Sequence, residues 1–454
     1  MMIIIIYGIF AVFFISIGLL YARLLRPTGY LSTISLFCFA ATVFFFLAAM
    51  LLKSEDVYMY LQNGYSDSAW IINAISCFVF TLTAVITCHF LHGPSLYKRY
   101  APKLLLWRSW KLEKINIRFI SCCAIIPVIV AVIFLWKMWG VYSYAEFLIN
   151  RTKIMSGYGY ILSIWHWLGV FLLIYFVYIF VKYNGKSFLI RLFFIVFPLS
   201  LCNSLMWFST GSRSRGLILY LYFLAIYVIL KSRDSGQFRR ILILTILILS
   251  TIYLGLMMGP VREAMVGGRE VLLTELDTSA SGERFLTEGN MFMVTENNLW
   301  VIDNVGLDRM LAGSTFLAII AGVVPRGIWQ GKPVGSGPAL RNLMNPGSYD
   351  IVEGENLTSA SPGILTEFLM NFHWPGALVG GVIFGILLVI LSYILRYVND
   401  PCAFVIWFLC AICIFGMLTG EVLASIALLV SRMLFFVFLH VMKILTGKTR
   451  KILY

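Results

Sequence analysis

PVREAMVGGREVLLTELDTSASGERFLTEGN, residues 260–290, opens the longest polar stretch in this chain. It continues through VVPRGIWQGKPVGSGPALRNLMNPGSYD at 323–350 and ends on SPGILTEFLMNFH at 361–373. Residues 260–373 hold thirteen of the chain's twenty-one acidic residues and seven basic ones, a net charge near −6. On either side the sequence is a series of apolar runs near twenty residues long. That contrast decides the fold class: runs of this length cross a bilayer as helices, and the polar stretch lies outside it.

Composition agrees. The 454 residues are 60% apolar and only 12% charged, where soluble domains are nearer a quarter charged. The net charge of +14 sits in short loops between apolar runs, which is a topology signal and not a nucleic-acid footprint. The nine cysteines lie in or beside apolar runs and none falls in the polar stretch. Neither a disulfide framework nor a metal-spaced cluster is indicated, and no cofactor is called for. The start, MMIIIIYG, has no basic leader region and reads as a retained span.

Lys98, Arg99, Lys103, Arg108, Lys111, Lys114 and Arg118, opposed by Glu113 alone, mark a cytoplasmic loop by the positive-inside rule. Counting outward from it gives an all-α polytopic membrane protein of about eleven spans. They are expected at 2–22, 30–52, 69–92, 119–139, 160–181, 192–210, 217–230, 241–259, 374–397, 402–418 and 422–444. The N-terminus is expected outside and the C-terminus in the cytoplasm. The organisation predicted is eight spans in residues 1–259, one large external loop in 260–373, and three spans with a cytoplasmic tail in 374–454. Within the loop, the apolar run 311–325 is too short to cross and suits a re-entrant or interfacial helix.

Gly211-Ser-Arg-Ser-Arg-Gly216 is the sharpest local signal for chemistry. It lies between two spans on the outer side, before an apolar run of only fourteen residues, so Arg213 and Arg215 are drawn toward the bilayer. Two guanidinium groups there call for an anion. Their planar forks match phosphate oxygens, which makes the turn a candidate diphosphate clamp. The competing reading is a pair of arginines reaching to lipid headgroups. Arg262, Arg326 and Lys332 add candidate diphosphate-binding cations from the loop; ordinary ion pairs with loop acids compete with that role.

Glu367 and His373 are the candidate proton acceptors, on an expected short helix where Glu367 and Asn371 share a face. A helix cap for Glu367 and an interfacial position beside Trp374 for His373 are the bland alternatives. His89 and His166 lie inside spans and read as bundle residues. Arg432 lies well inside the last span with Glu421 eleven residues before it, and reads equally as a functional group or as half of an ion pair. No Walker-type phosphate loop, His-Glu-x-x-His or Asp-x-Asp pair is present, so a transferase here uses no metal-held nucleotide donor.

The Gly211–Gly216 turn, Val324-Pro-Arg-Gly-Ile-Trp-Gln-Gly-Lys-Pro333, the Arg326-to-Gly337 spacing, and Gly363…Glu367…Asn371-Phe-His-Trp-Pro-Gly376 together resemble the bacterial oligosaccharide repeat-unit polymerases of the Wzy type. His373 stands where that pattern has glycine. The resemblance implies a metal-independent glycosyltransferase in the plasma membrane, acting on undecaprenyl-diphosphate-linked oligosaccharides at the outer face. It implies a flippase and a chain-length regulator as partners, with no nucleic acid. The growing glycan leaves its lipid diphosphate and joins the next repeat unit. A ligase moving glycan to lipid A core, or a transporter of lipid-linked sugars, are the alternatives. The transporter predicts charged residues lining many spans and broken helices in two similar halves; intramembrane charges are few here and no repeat is present.

Overall fold

The computed structural model describes residues 2–24, 33–55, 64–105, 117–141, 146, 159–183, 186–209, 213–231, 290–321, 324, 329, 331–349, 360–398 and 400–445. Among these the chain is all-helical. In chain order the helices are α1 (Met2–Leu24), α2 (Thr33–Ala41), α3 (Ala48–Glu55), α4 (Asp67–Leu105), α5 (Ile117–Cys123), α6 (Ile125–Trp139), α7 (Gly159–Lys182), α8 (Lys186–Arg191) and α9 (Phe197–Ser209). They continue with α10 (Arg213–Lys231), α11 (Asn290–Asn304), α12 (Ser314–Ala321), α13 (Ser336–Met344), α14 (Gly363–Phe372), α15 (Pro375–Ile394), α16 (Pro401–Gly416) and α17 (Val422–Leu445). Single π-helical stretches, Thr42–Leu47 and Leu192–Val196, join α2 to α3 and α8 to α9.

Eight helical segments of the described residues are long and apolar enough to cross a membrane. They are Met2–Ala22, Thr33–Lys53, Asp67–Leu91, Ile117–Met138, Ser163–Lys182, Ser187–Trp207, Pro375–Ile394 and Val422–Met442. Ile218–Tyr227 and Pro401–Gly416 are apolar but shorter. The apolar residues expected to form a span at 241–259 lie outside the described residues. This is the architecture of an all-α, multi-pass membrane protein. Lipid offers no partner for backbone N–H and C=O groups, so each segment satisfies them internally.

The chain divides into two compact units. The first comprises Met1–Leu104, Leu286–Val398 and Trp407–Leu429; the second comprises Leu105–Phe285, Asn399–Ile406 and Val430–Tyr454. In the first unit α15 packs on α2 and α4. Gly381 and Gly385 make this possible: a Cβ at either would come within 2.7 Å of a carbonyl oxygen on α4, of Phe80 or Ala84. Small residues let two helices approach where apolar burial alone gives no preference for protein over lipid. Phe384 then fits between Phe37 and Phe80, with ring centroids 5.0 and 5.7 Å away. Thr33 Oγ1 meets Ser392 Oγ at 2.7 Å across α2 and α15. Inside the same unit, His89 finds the Tyr21 hydroxyl at 2.6 Å. The run expected to be re-entrant contains α12, eight residues long, whose Phe316 packs on Phe368 and Phe372 of α14.

In the second unit α7 is the central helix and packs against α5, α6, α9 and α10. Phe176 stacks on Phe223 at 4.7 Å, and Trp165 meets Phe134 and Trp207 edge-on. A small polar hollow lies in this aromatic packing.

Candidate functional site

Within the second unit, α9 and α10 form a tight hairpin. Ser204 Oγ donates to the carbonyl of Gly216 at 2.7 Å, and Gly216 is buried in the contact. Arg213 and Arg215 fall in the first turn of α10. Cations are disfavoured there, because a helix N-terminus already carries partial positive charge. A turn that combines that charge with arginines is arranged to receive an anion.

Arg432 reaches the same place from α17. Its neighbour Ser431 ties α17 to α7 twice: Ser431 Oγ donates to the Ser163 carbonyl at 3.1 Å, and Trp167 Nε1 donates to the Ser431 carbonyl at 3.1 Å. Trp167 also stacks on Phe438 at 5.1 Å. This anchoring sets the rotation of α17 and turns Arg432 inward, where it is 8% exposed. Its guanidinium lies 5.5 Å from the Tyr222 ring centre. The Arg215 guanidinium lies 5.2 Å from the Trp207 ring, and His166 stacks on the other ring contact of Trp207 at 4.7 Å.

Arg215, Arg432, His166, Asn203, Trp207 and Tyr222 line one cavity of about 30 Å³. No acidic side chain is among its lining residues. Arg432 is buried there beside the Tyr222 ring, while Arg215 is exposed and meets the Trp207 ring. Cation–π contact offsets part of the cost of desolvating the Arg432 guanidinium.

A second polar cluster lies in the first unit, and it is built in the opposite way. Glu367 on α14 is fully buried. Its Oε1 accepts from the Thr315 hydroxyl at 2.9 Å; its Oε2 accepts from the Ser336 hydroxyl at 2.8 Å and from the Val422 N–H at 3.4 Å. Asn371, one turn on, donates to Thr315 Oγ1 and accepts from the Gly313 N–H. Four segments are thus tied to one carboxylate. Glu421 sits beside it at the N-terminus of α13, accepting from the N–H groups of Ser336 and Gly337. A Cβ on Gly335 would lie 1.7 Å from Glu421 Oε1, so a larger residue there would displace the Glu421 carboxylate. Burial raises the Glu367 carboxyl above its ordinary range, more than its three donors lower it. Burial, then the neighbouring Glu367, push Glu421 up to about 7. Among the described residues Glu421 makes no ion pair, so the pairing with Arg432 suggested by the sequence is replaced by backbone donors.

The remaining sequence candidates are placed as follows. Lys332 donates to the carbonyls of Ala321 and Val324, at 3.3 and 2.7 Å, and so caps the C-terminal end of α12. His373 ends α14 with φ +56°, a backbone conformation that glycine adopts freely, and its Nδ1 is buried without a hydrogen-bond partner. Arg262 and Arg326 lie outside the described residues, and of Arg213 only the backbone is described. Arg215 and Arg432 meet at one cavity, while Glu367 and Lys332 belong to the first unit. Asn203, Trp207 and Tyr222 were not singled out from the sequence; a polar residue inside the apolar run of α9 was the available signal for Asn203. The described residues contain no group of three or more metal-ligating side chains. Comparison with family models, with curated proteins and with solved structures gave no match.

Proposed function

We propose that this chain is a metal-independent glycosyltransferase of the repeat-unit polymerase type, which moves a growing glycan from its undecaprenyl diphosphate onto the next lipid-linked unit. The observation that carries this reading is the cavity lined by both Arg215 and Arg432, with no acidic side chain among its lining residues. Glycosyl transfer from a lipid diphosphate places negative charge on the departing phosphate. Fixed guanidinium groups in a low-dielectric setting stabilise that charge more than mobile water does. A donor already anchored in the bilayer needs no nucleotide loop, and its headgroup reaches a cavity framed by membrane helices.

The proton of the attacking hydroxyl needs an acceptor. Glu367 and His373 are the sequence candidates; saturation of Glu367 by three donors favours a positioning role for it. Eleven spans complete the proposal. The run at 241–259 joins the eight long segments and the two shorter apolar helices, with the N-terminus outside, the C-terminus in the cytoplasm, and residues 260–373 facing out. The membrane is the bacterial plasma membrane, where a flippase supplies the substrate and a chain-length regulator limits the product.

Deletion followed by glycan gel analysis tests the reading. Single repeat units on the acceptor lipid are expected. Long free polymer with none attached would identify a ligase and overturn the proposal, as would an unchanged ladder.

A further inference from the structure

Two buried polar side chains line the hollow of the second unit without a hydrogen bond of their own. Asn203, on α9, is 3% exposed and its Oδ1 accepts from no donor. Arg432, on α17, is 8% exposed; among the described residues it meets the Tyr222 ring and neither a hydrogen-bond acceptor nor an acid. His166, on α7, lines the same hollow. It stacks on Trp207 and makes no hydrogen bond among the described residues. A buried polar atom left unmet is costly, so folded proteins keep one where something outside the chain meets it. Here an acceptor and a set of donors are left unmet in one place.

Size and polarity together choose the occupant. The hollow measures about 30 Å³, and one water needs about 10–15 Å³, so it holds about two waters and is too small for a phosphate. A halide ion would fit and would meet Arg432, but it has no proton to give Asn203. Water has both: it donates to Asn203 Oδ1 and accepts from an Arg432 N–H. A neutral imidazole, with one donor and one acceptor nitrogen, supplies the third partner that buried waters ordinarily have. We infer that the hollow is a site for one or two ordered waters bridging Asn203, His166 and Arg432, and that Asn203 positions the Arg432 guanidinium through them.

The bridge joins three helices, α7, α9 and α17, at one point. Arg215 is exposed where it lines the same hollow. A lipid diphosphate therefore stays outside, on the Arg215 side, and the charge of Arg432 acts on it from behind the water. A long arginine side chain has many rotamers, and holding one of them needs a tie. Charge fixed in advance is what stabilises a departing phosphate. Asn203 is thus a positioning residue and touches no substrate. That role rests on the polymerase reading; the water site itself stands on the three unmet side chains and the size of the hollow.

The test is water-edited solid-state NMR of the full chain in phosphatidylcholine vesicles, with isotope-labelled arginine. The Arg432 signal is the one lost in Arg432→Gln. In the parent, magnetisation from water should reach the Arg432 guanidinium. Asn203→Val removes the acceptor and should weaken that transfer about fivefold, the worth of one hydrogen bond. Asn203→Thr has the shape of valine but keeps an oxygen acceptor, and should retain the transfer. No transfer in the parent would overturn the water site, and equal transfer in the two variants would overturn the role of Asn203. Replacing chloride by gluconate should change nothing; a rise in transfer would identify a bound halide and overturn the water bridge. Glycan growth on lipid-linked repeat units is read from the same variants. Asn203→Val should lower kcat about tenfold with KM unchanged, and Asn203→Thr should restore most of it. A raised KM with unchanged kcat would place Asn203 against substrate and overturn the positioning role. If deletion identifies a ligase while the NMR transfer is as expected, the polymerase reading fails and the water site stands.

Discussion

The two polar clusters of this molecule differ in what they leave unsatisfied. Around Glu367, in the first unit, every carboxylate oxygen has a donor, and the donors come from α12, α13 and the start of α17. Around Arg432, in the second unit, that guanidinium faces the Tyr222 ring, no acidic side chain lines the cavity, and Asn203 has an acceptor with no donor. A buried polar network that closes on itself is a structural tie, and one that stays open is shaped for a ligand. By that test we propose a positioning role for Glu367, a candidate proton acceptor in the sequence, and a place in the candidate site for Arg432, which the sequence reads equally as a functional group or as half of an ion pair.

The comparison is broken most directly at Arg432. Arg432→Gln, and Arg215→Gln beside it, should cut polymer formation by about a hundredfold or more while the amount of folded protein stays level. Polymer ladders of normal length from both variants would leave the open cavity without a function. The reverse pattern is expected at Glu367. Glu367→Ala strands three donors and should cost about 3 kcal/mol, seen as a lower unfolding midpoint and less membrane-inserted protein. If Glu367→Gln folds with the midpoint of the parent yet makes no polymer, Glu367 does chemistry and the contrast between the clusters fails.

Gly335→Ala asks whether the clamp is as tight as its geometry. The added Cβ would fall 1.7 Å from Glu421 Oε1, so the Glu421 carboxylate has to leave its backbone donors or α13 has to shift, at a cost of about 1–3 kcal/mol in a thermal melt. The smallest effect sharpens the electrostatics. Glu421 is raised to about 7, so the folded state holds its proton where the unfolded chain has lost it. The sign follows: this contribution is present below the ordinary carboxyl range and disappears as pH rises through about 7. Stability should fall between about pH 4.5 and 7 and level off above, and Glu421→Gln should flatten that slope. Parallel slopes for parent and variant would show that Glu421 titrates normally.

Much of the fold is legible in the sequence because lipid imposes a simple rule. Apolar runs of 20 or so residues must become helices, and the eight long segments coincide with runs read from hydropathy alone. The exceptions are instructive. The run 217–230 is short by count, and Arg213 and Arg215 extend its helix at the N-terminal end. In the run expected to be re-entrant, α12 begins at Ser314 because Ala312 and Gly313 take positive φ before it. The carboxylate motif was visible as Glu367 and Asn371 one turn apart, but not its saturation, since Thr315, Ser336 and Val422 come from three distant segments. Nor was the cavity visible, since Asn203, Arg215 and Arg432 come from three helices.

What the sequence determined by itself was the solvent of each segment: which residues form membrane-length helices and which form the acidic stretch at 260–373. Run length and charge are sums along the chain, and lipid acts on those sums. Tertiary structure alone decided which polar groups are closed and which are open. Whether Glu367 is satisfied, or Arg432 exposed to a cavity, depends on the rotation of α14 and α17 about their axes. Those rotations are set by contacts such as Ser431 to Ser163 and Asn371 to Thr315, between residues that lie far apart along the chain.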